Sequence, residues 1–462
     1  KFTDAAGNNS SASNQFNWSY KTNYLIKKDG SGDFTTIQSA IDALETGDTI
    51  RISAGTYTEN LDLGSKSLVL IGADKSTTII DGGGSTSSKP VVIIGEQSDK
   101  AYRSVIENLT IQNGTANVGP SGLGNEPHGG GITNLASKTL IKNSIIQNNT
   151  ATINSGNGGG IFSSHQDTLF IENSIIQNNR SANRGGGMHV PSGVIKAINS
   201  VFYKNQGGHG GAIRYSGSGL VIVNCTFLDN TVESSGEGGG AISIESNTSD
   251  HVMMNSIFWG NTEPQLAFYR NNGSKLYLVD SIVENPSEID MNGPFYNSST
   301  GTDNNLIIYK NGTNHGSNTS MIHTVNPAFE DPSNGNFSLK SYSGAIGMGV
   351  SSITLNNQTL LAPSSDILGN PRPNPVGTKQ DLGAYENSLY EPLEKTMFTV
   401  NKDGGADFTT IQNAINATNA LTDTVYIYNG TYNENLVISN NLTMIGEDSS
   451  LTIIDGGQNG AV

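Results

Sequence analysis

The segment Asp29-x-Ser31-x-Asp33 has the alternating oxygen spacing of a calcium loop. The bidentate glutamate that closes an EF-hand loop does not follow it. A second copy of this segment keeps Asp403 and Asp407, but Gly405 stands where Ser31 was. A turn that caps the next helix is expected. Asp29 and Asp33 remain the calcium candidates, and no other cofactor is expected. His128 and His209 each precede a Gly-Gly pair, with Asn157 and Arg184 at the same place in the intervening units. If these units stack at the spacing of paired strands, the two histidines lie roughly 14 Å apart, too far for one metal. Tyr203 and Trp259, with Leu228 between them, could form an outward stripe that stacks on sugar rings or packs on a neighbouring protein. The single cysteine, Cys225, sits in Cys-Thr-Phe and is expected to be a small core residue.

Repeats must position these groups. The motif Asn-Ser-x-apolar-x-x-Asn begins at Asn143, Asn173, Asn199, Asn224 (with Cys225 in place of Ser) and Asn255. Its copies end at Asn149, Asn179, Asn205, Asn230 and Asn261. A Gly-Gly-Gly or Gly-Gly-Ala triplet followed by Ile or Met interleaves with it, starting at Gly129, Gly158, Gly185, Gly210 and Gly239. Each unit holds short β-type runs and turns, with no helical period. Such repeats predict the coils of a parallel β-helix, an all-β solenoid in which each coil pairs with the next. The fourth motif position, Ile146, Ile176, Phe202, Phe227 and Phe258, becomes a stacked core. The final asparagines become a ladder of side-chain amides.

A larger repeat encloses these coils. Asp29–Gln38 matches Asp403–Gln412, Gly55–Leu61 matches Gly430–Leu436, and Ile79–Gly83 matches Ile453–Gly457. Between them, Ile37, Ala40, Ile41 and Leu44 share one helical face, which predicts a short helix capping the first coil. The expected organisation is a tether over residues 1–23, a complete β-helix unit over 24–390, and the start of a second unit over 391–462.

The net charge is −16, with 25 basic residues among 462. Such a surface repels phosphate backbones and anionic lipid, so neither nucleic acid nor a membrane surface is an expected partner. No apolar run is long enough to span a bilayer as a helix.

The coils resemble the repeats of polymorphic outer-membrane proteins and related secreted bacterial β-helix proteins. Val325–Leu339, Ser343–Gly349 and Asp381–Glu386 resemble the closing segment of large surface-anchored members. The opening segment, Asp29–Leu61, is similar to that of pectin methylesterases, which share the right-handed β-helix. His165-Gln-Asp-Thr-Leu-Phe170 resembles the esterase stretch that carries a catalytic aspartate. The resemblance implies Asp167 as general acid and Gln166 as an oxyanion-binding group. It also implies a second aspartate one coil on, but no Asp or Glu occurs from Asn173 through Leu228.

The expectation is an exported, non-catalytic structural protein of the cell surface or extracellular space: an adhesin, stalk or fibre subunit. Its partners would be further copies of itself, end to end or side by side, or surface glycans and proteins. The alternative is an esterase or lyase acting on polysaccharide, or a glycan-binding module.

Overall fold

The computed structural model describes residues 23–457, apart from 85–87, 96–102, 117–127, 136–137, 152–155, 165–167, 234–237, 246–248, 270–273, 292–304, 419–422 and 439–440. Residues 1–22, and with them most of the expected tether, lie outside the described residues.

One coil shows how the sequence becomes the fold. Lys138–Lys142, Ile145–Gln147, Thr150–Ala151 and Ile161–Ser163 are its strands, and each pairs in parallel with the equivalent strand of the next coil. Stacking the coils builds a twelve-stranded, a nine-stranded, an eight-stranded and a four-stranded sheet around one interior. Inward side chains alternate with outward ones along each strand. Ile146, Ile176, Phe202, Phe227 and Phe258 are fully buried inside it. The Phe202 and Phe227 rings stack at 4.6 Å, and those of Phe227 and Phe258 at 5.0 Å.

The repeated polar residues make the corners. Asn108, Asn143, Asn173, Asn199, Asn224 and Asn255 all have φ between 46° and 58°, a left-handed conformation that asparagine tolerates better than branched residues. The serine that follows accepts from the backbone of the preceding coil, as in Ser144 N to Ser174 Oγ at 3.2 Å. Cys225 stands in this column and is buried, and burial pushes its thiol up to about 12. At the next corner, Asn149 Nδ2 donates to Asn179 Oδ1, Asn179 to Asn205, Asn205 to Asn230 and Asn230 to Asn261, at 2.8 to 3.0 Å. Glycines fill the third corner because backbones touch there. A Cβ at Gly130 would lie 2.4 Å from the Thr150 carbonyl oxygen.

The opening helix, Ile37–Ala43, is capped by the Glu59 carboxylate, which accepts from the amides of Ile37 at 3.0 Å and Gln38 at 2.9 Å. Glu434 does the same for Ile411 and Gln412 at the helix Ile411–Ala417. The two repeated blocks are therefore halves of one capping device. The strands of the second region, from Met397 onward, form sheets of their own.

Residues 325–390 return along the outside of the nine-stranded sheet. Asn199 Nδ2 donates to the Ser365 carbonyl at 2.6 Å, Asn224 Nδ2 to that of Asp381 at 3.2 Å, and Asn255 Nδ2 to that of Val350 at 2.8 Å. The segment is tied by a buried charge cluster. Arg372 pairs with Glu386 at 3.0 Å and donates to the carbonyls of Asp381 and Gly383. Asp381 accepts from the amides of Gly347 at 2.8 Å and Asn387 at 2.6 Å. Burial, reinforced by Glu386, outweighs these bonds and Arg372, and pushes Asp381 up to about 7.

This raised value sets a pH dependence. Between the unfolded value near 4 and about 7, the folded state holds a proton at Asp381 that the unfolded state has lost, so stability falls as pH rises through that window. The aspartates whose values are lowered, such as Asp81 and Asp407, titrate below it. The buried His189 and His251, lowered by burial, favour the higher pH over part of the same window, so the variant isolates the carboxyl: from pH 5 to pH 8 the Tm of Asp381→Asn is expected to rise more, or fall less, than that of the parent. An equal change in the two proteins would remove Asp381 from the account.

Candidate functional site

The Tyr203–Leu228–Trp259 stripe is not an open platform. Tyr203 is 5% exposed, and its ring meets Phe337 edge-on at 5.0 Å. Trp259 packs among Phe329, Ile367 and Tyr385. The expectation that Tyr203 and Trp259 contact a ligand is therefore corrected: the closing segment covers them. Coil periodicity gave the direction of this column but not what returns to it.

The calcium candidates also turn elsewhere. Asp29 Oδ1 accepts from Ser31 N at 2.9 Å and Ser31 Oγ at 2.8 Å, which lowers its pKa. Asp33 Oδ2 accepts from Leu25 N at 2.7 Å. Each carboxylate serves its own loop. Among the described residues, no group of three His, Cys, Asp or Glu is placed to hold a metal ion. His128, Asn157, Arg184 and His209 do form one column of β-bridges. The His128 ring stacks on Phe162 at 4.1 Å.

The open surface lies on the outer face of the twelve-stranded sheet. Four successive strands, Arg103–Glu107, Lys138–Lys142, Thr168–Glu172 and Val194–Ile198, present three outward columns there. The central column is Val105, Leu140, Phe170 and Lys196. Arg103 pairs with Lys138 along one margin. Glu107, Lys142 and Glu172 follow one another along the other, with Lys142 Nζ 3.6 Å from Glu107. Arg103, Lys138, Leu140, Phe170 and Glu172 line a cavity of about 350 Å³. Lys196 Nζ stands 6.0 Å from the Phe170 ring centre.

Beyond Lys196 the face is closed. Val223, Met254, Tyr277 and Val279 pack under Ile353 and Leu355 of the hairpin Ser352–Leu361. The groove is therefore open for about three coil steps, roughly 15 Å at the spacing of paired strands. It carries four cations and two carboxylates on a chain of net charge −16. Leu140 and Phe170 supply a flat apolar floor, and the cations flank it. An apolar floor with cationic margins suits sugar rings that carry carboxylates. The alternation Lys138-x-Leu140-x-Lys142 was the available sequence signal, since such residues at outward positions of a strand must face water or a ligand.

Gln166 and Asp167 lie outside the described residues. In the sequence they directly precede the strand Thr168–Glu172, which carries Phe170.

The architecture defines the class of protein: a right-handed parallel β-helix. Residues 131–313 match the family model described as "Right handed beta helix region". Over 91 residues the chain is 33% identical to the probable pectinesterase/pectinesterase inhibitor 41 of Arabidopsis thaliana, covering 18% of this chain and 16% of that protein. Over 104 residues it is 32% identical to pectinesterase 2 of Citrus sinensis, covering 20% and 19%. The match thus spans less than a fifth of either relative's length. Among solved structures, the pectin methylesterase from carrot resembles 65% of this chain and 85% of its own, at 17% identity and a TM-score of 0.29. The pectin methylesterase from Aspergillus niger covers 65% and 88%, at 14% and 0.28.

These similarities overturn the expectation of a chain that is not an enzyme. The curated relatives it matches, over less than a fifth of their length, are named pectinesterases. The motif count favoured a purely structural repeat because most of the sequence builds coils, and coil-building residues carry no trace of what the outer face does.

Proposed function

We propose that the chain acts on polysaccharide and holds an acidic, partly esterified polymer along the Leu140–Phe170 groove. The observation that carries this reading is the cation-flanked apolar groove on the strand that directly follows Gln166–Asp167. Arg103 and Lys138 would take free uronate carboxylates, and Phe170 one sugar face. The reaction would be ester hydrolysis. Water adds to the acyl carbon, the acyl–oxygen bond breaks, and methanol leaves with a proton from Asp167; the water oxygen ends in the product carboxylate, one of its two protons restores Asp167 and the other passes to solvent. The Gln166 amide would stabilise the oxyanion. Such polymers lie outside cells, and we place the chain there.

The test is methanol release from methyl-esterified pectin, with binding to the same polymer measured in parallel. Asp167→Asn should lower turnover about 100-fold or more. Phe170→Ala should raise KM about tenfold with little change in kcat, since it removes about 1.5 kcal/mol of stacking present in both ground and transition states. Absence of methanol release, with polymer binding indifferent to Phe170→Ala, would sink the proposal. Binding lost with Phe170→Ala but without methanol would leave a glycan-binding groove.

A further inference from the structure

The second region docks on the closing segment through one small joint. Within the second region, Lys395 Nζ binds Asp407 Oδ1 at 2.6 Å, and the closing segment meets the same aspartate. Lys340 Nζ reaches the Asp407 carbonyl at 3.2 Å, and the Tyr342 hydroxyl donates to Asp407 Oδ1 at 3.3 Å. The Tyr342 ring meets Phe398 edge-on at 5.8 Å, and Lys340 lies 6.0 Å from the Phe408 ring centre. Phe398 is 3% exposed, within the core of the second region, and Tyr342 packs against that core. The turn Lys340-Ser341-Tyr342 thus plugs into a face made by the opening strand and its Asp-Phe loop. Ser341 adds its carbonyl, which accepts from Leu393 N at 2.8 Å.

The first unit opens with the same face. Among the described residues, Asn23-Tyr24 stands where the second has Met397-Phe398, and Asp33-Phe34 where it has Asp407-Phe408. The backbone is the same too. Asp33 Oδ2 accepts from Leu25 N at 2.7 Å, as Asp407 Oδ2 accepts from Thr399 N at 2.8 Å. What differs is cover. Asp33 is exposed where Asp407 is half-buried.

We propose that the Asp33–Phe34 face of the first unit is a docking surface for the Lys-Ser-Tyr closing turn of another β-helix unit of this kind. The occupant is fixed by two observations. The same chain seats that turn on the equivalent face 374 residues later, and the exposed carboxylate of Asp33 stands where that of Asp407 lies 4.0 Å from the Lys340 ammonium. The contact is heterologous, head to closing turn, so it joins units in line and does not close a symmetric pair.

In the full chain the turn is occupied by its own second unit, so the test frees it. Asp407→Lys sets a cation against Lys340 and Lys395 and releases the joint. Sedimentation of this variant should show self-association at a concentration at least tenfold below any seen for the unaltered chain. Adding Asp33→Lys should abolish it. A variant that stays monomeric, or association that survives Asp33→Lys, overturns the proposal. Should Asp407→Lys fail to fold, a peptide of residues 336–346 titrated onto the unaltered full chain decides. A binding signal reduced at least fivefold by Asp33→Lys supports the surface. No signal, or one indifferent to that change, overturns it.

Discussion

Replacing Arg372 with alanine is expected to detach the closing segment while the coils stay folded. Arg372 is almost fully buried and faces Glu386, Asp366 and Asp381. Without it, the carboxylates lose their counter-charge and the carbonyls of Asp381 and Gly383 lose a donor. Removing one partner of a buried pair costs about 3–5 kcal/mol, because the remaining charge stays out of water. Two readouts separate this from global unfolding. Trp259, half-buried under the segment, should shift its fluorescence to the red. Proteolysis should cut between residues 340 and 390 before it cuts the coils. Arg372→Lys should fall between, since it keeps the charge but not the planar fork that reaches two carbonyls. If Arg372→Ala melts as the parent does, the cluster is not what holds the segment.

The second large effect is expected at Asn205. Its Oδ1 accepts from both Asn179 N at 3.2 Å and Asn179 Nδ2 at 3.0 Å, while its Nδ2 donates to the Ile176 carbonyl at 2.8 Å. Asn205→Ala leaves those groups buried and unpaired, at about 1–3 kcal/mol each, so a loss of about 4 kcal/mol is expected in denaturant unfolding. Gln177 is the control. It too donates to a like residue one coil away, Gln147 Oε1 at 2.8 Å, but it lies at the half-buried surface. Water can replace its bonds, and Gln177→Ala should cost less than about 1 kcal/mol. Equal effects at the two positions would mean that the ladder stabilises by packing and not by hydrogen bonding.

The contrast between these residues shows what could be read in advance. Asn205 was legible because a coil repeats its own environment. Each asparagine meets another one coil on, so sequence spacing alone gives the contact. The same holds for the Phe202–Phe227–Phe258 stack and for the columns in which the asparagine starts and glycine triplets line up, whereas the left-handed φ values from Asn143 to Asn255 and the close backbone contacts at the glycines came from the structure. The Asp-Phe-Thr-Thr-Ile-Gln and Gly-Thr-Tyr-x-Glu blocks announced a repeated opening. That Glu59 and Glu434 cap the helices was written there as well, though only the structure joined the two blocks.

The outer surface was not legible in this way. An outward residue is set by what comes to lie on it, and that partner can be distant in sequence. Tyr203 and Phe170 both stand outward on strands in adjacent coil positions. Tyr203 is covered by Phe337, more than a hundred residues later, while Phe170 is left open. The hairpin Ser352–Leu361 closes the far half of the face that holds Phe170 and so sets where the groove ends. The sequence by itself determined the solenoid, its corners and its repeated head, because those depend on neighbours one coil apart. Which part of the outer face is a groove and which is wall was decided only by the tertiary structure, through the return of residues 325–390 over coils built far earlier in the chain.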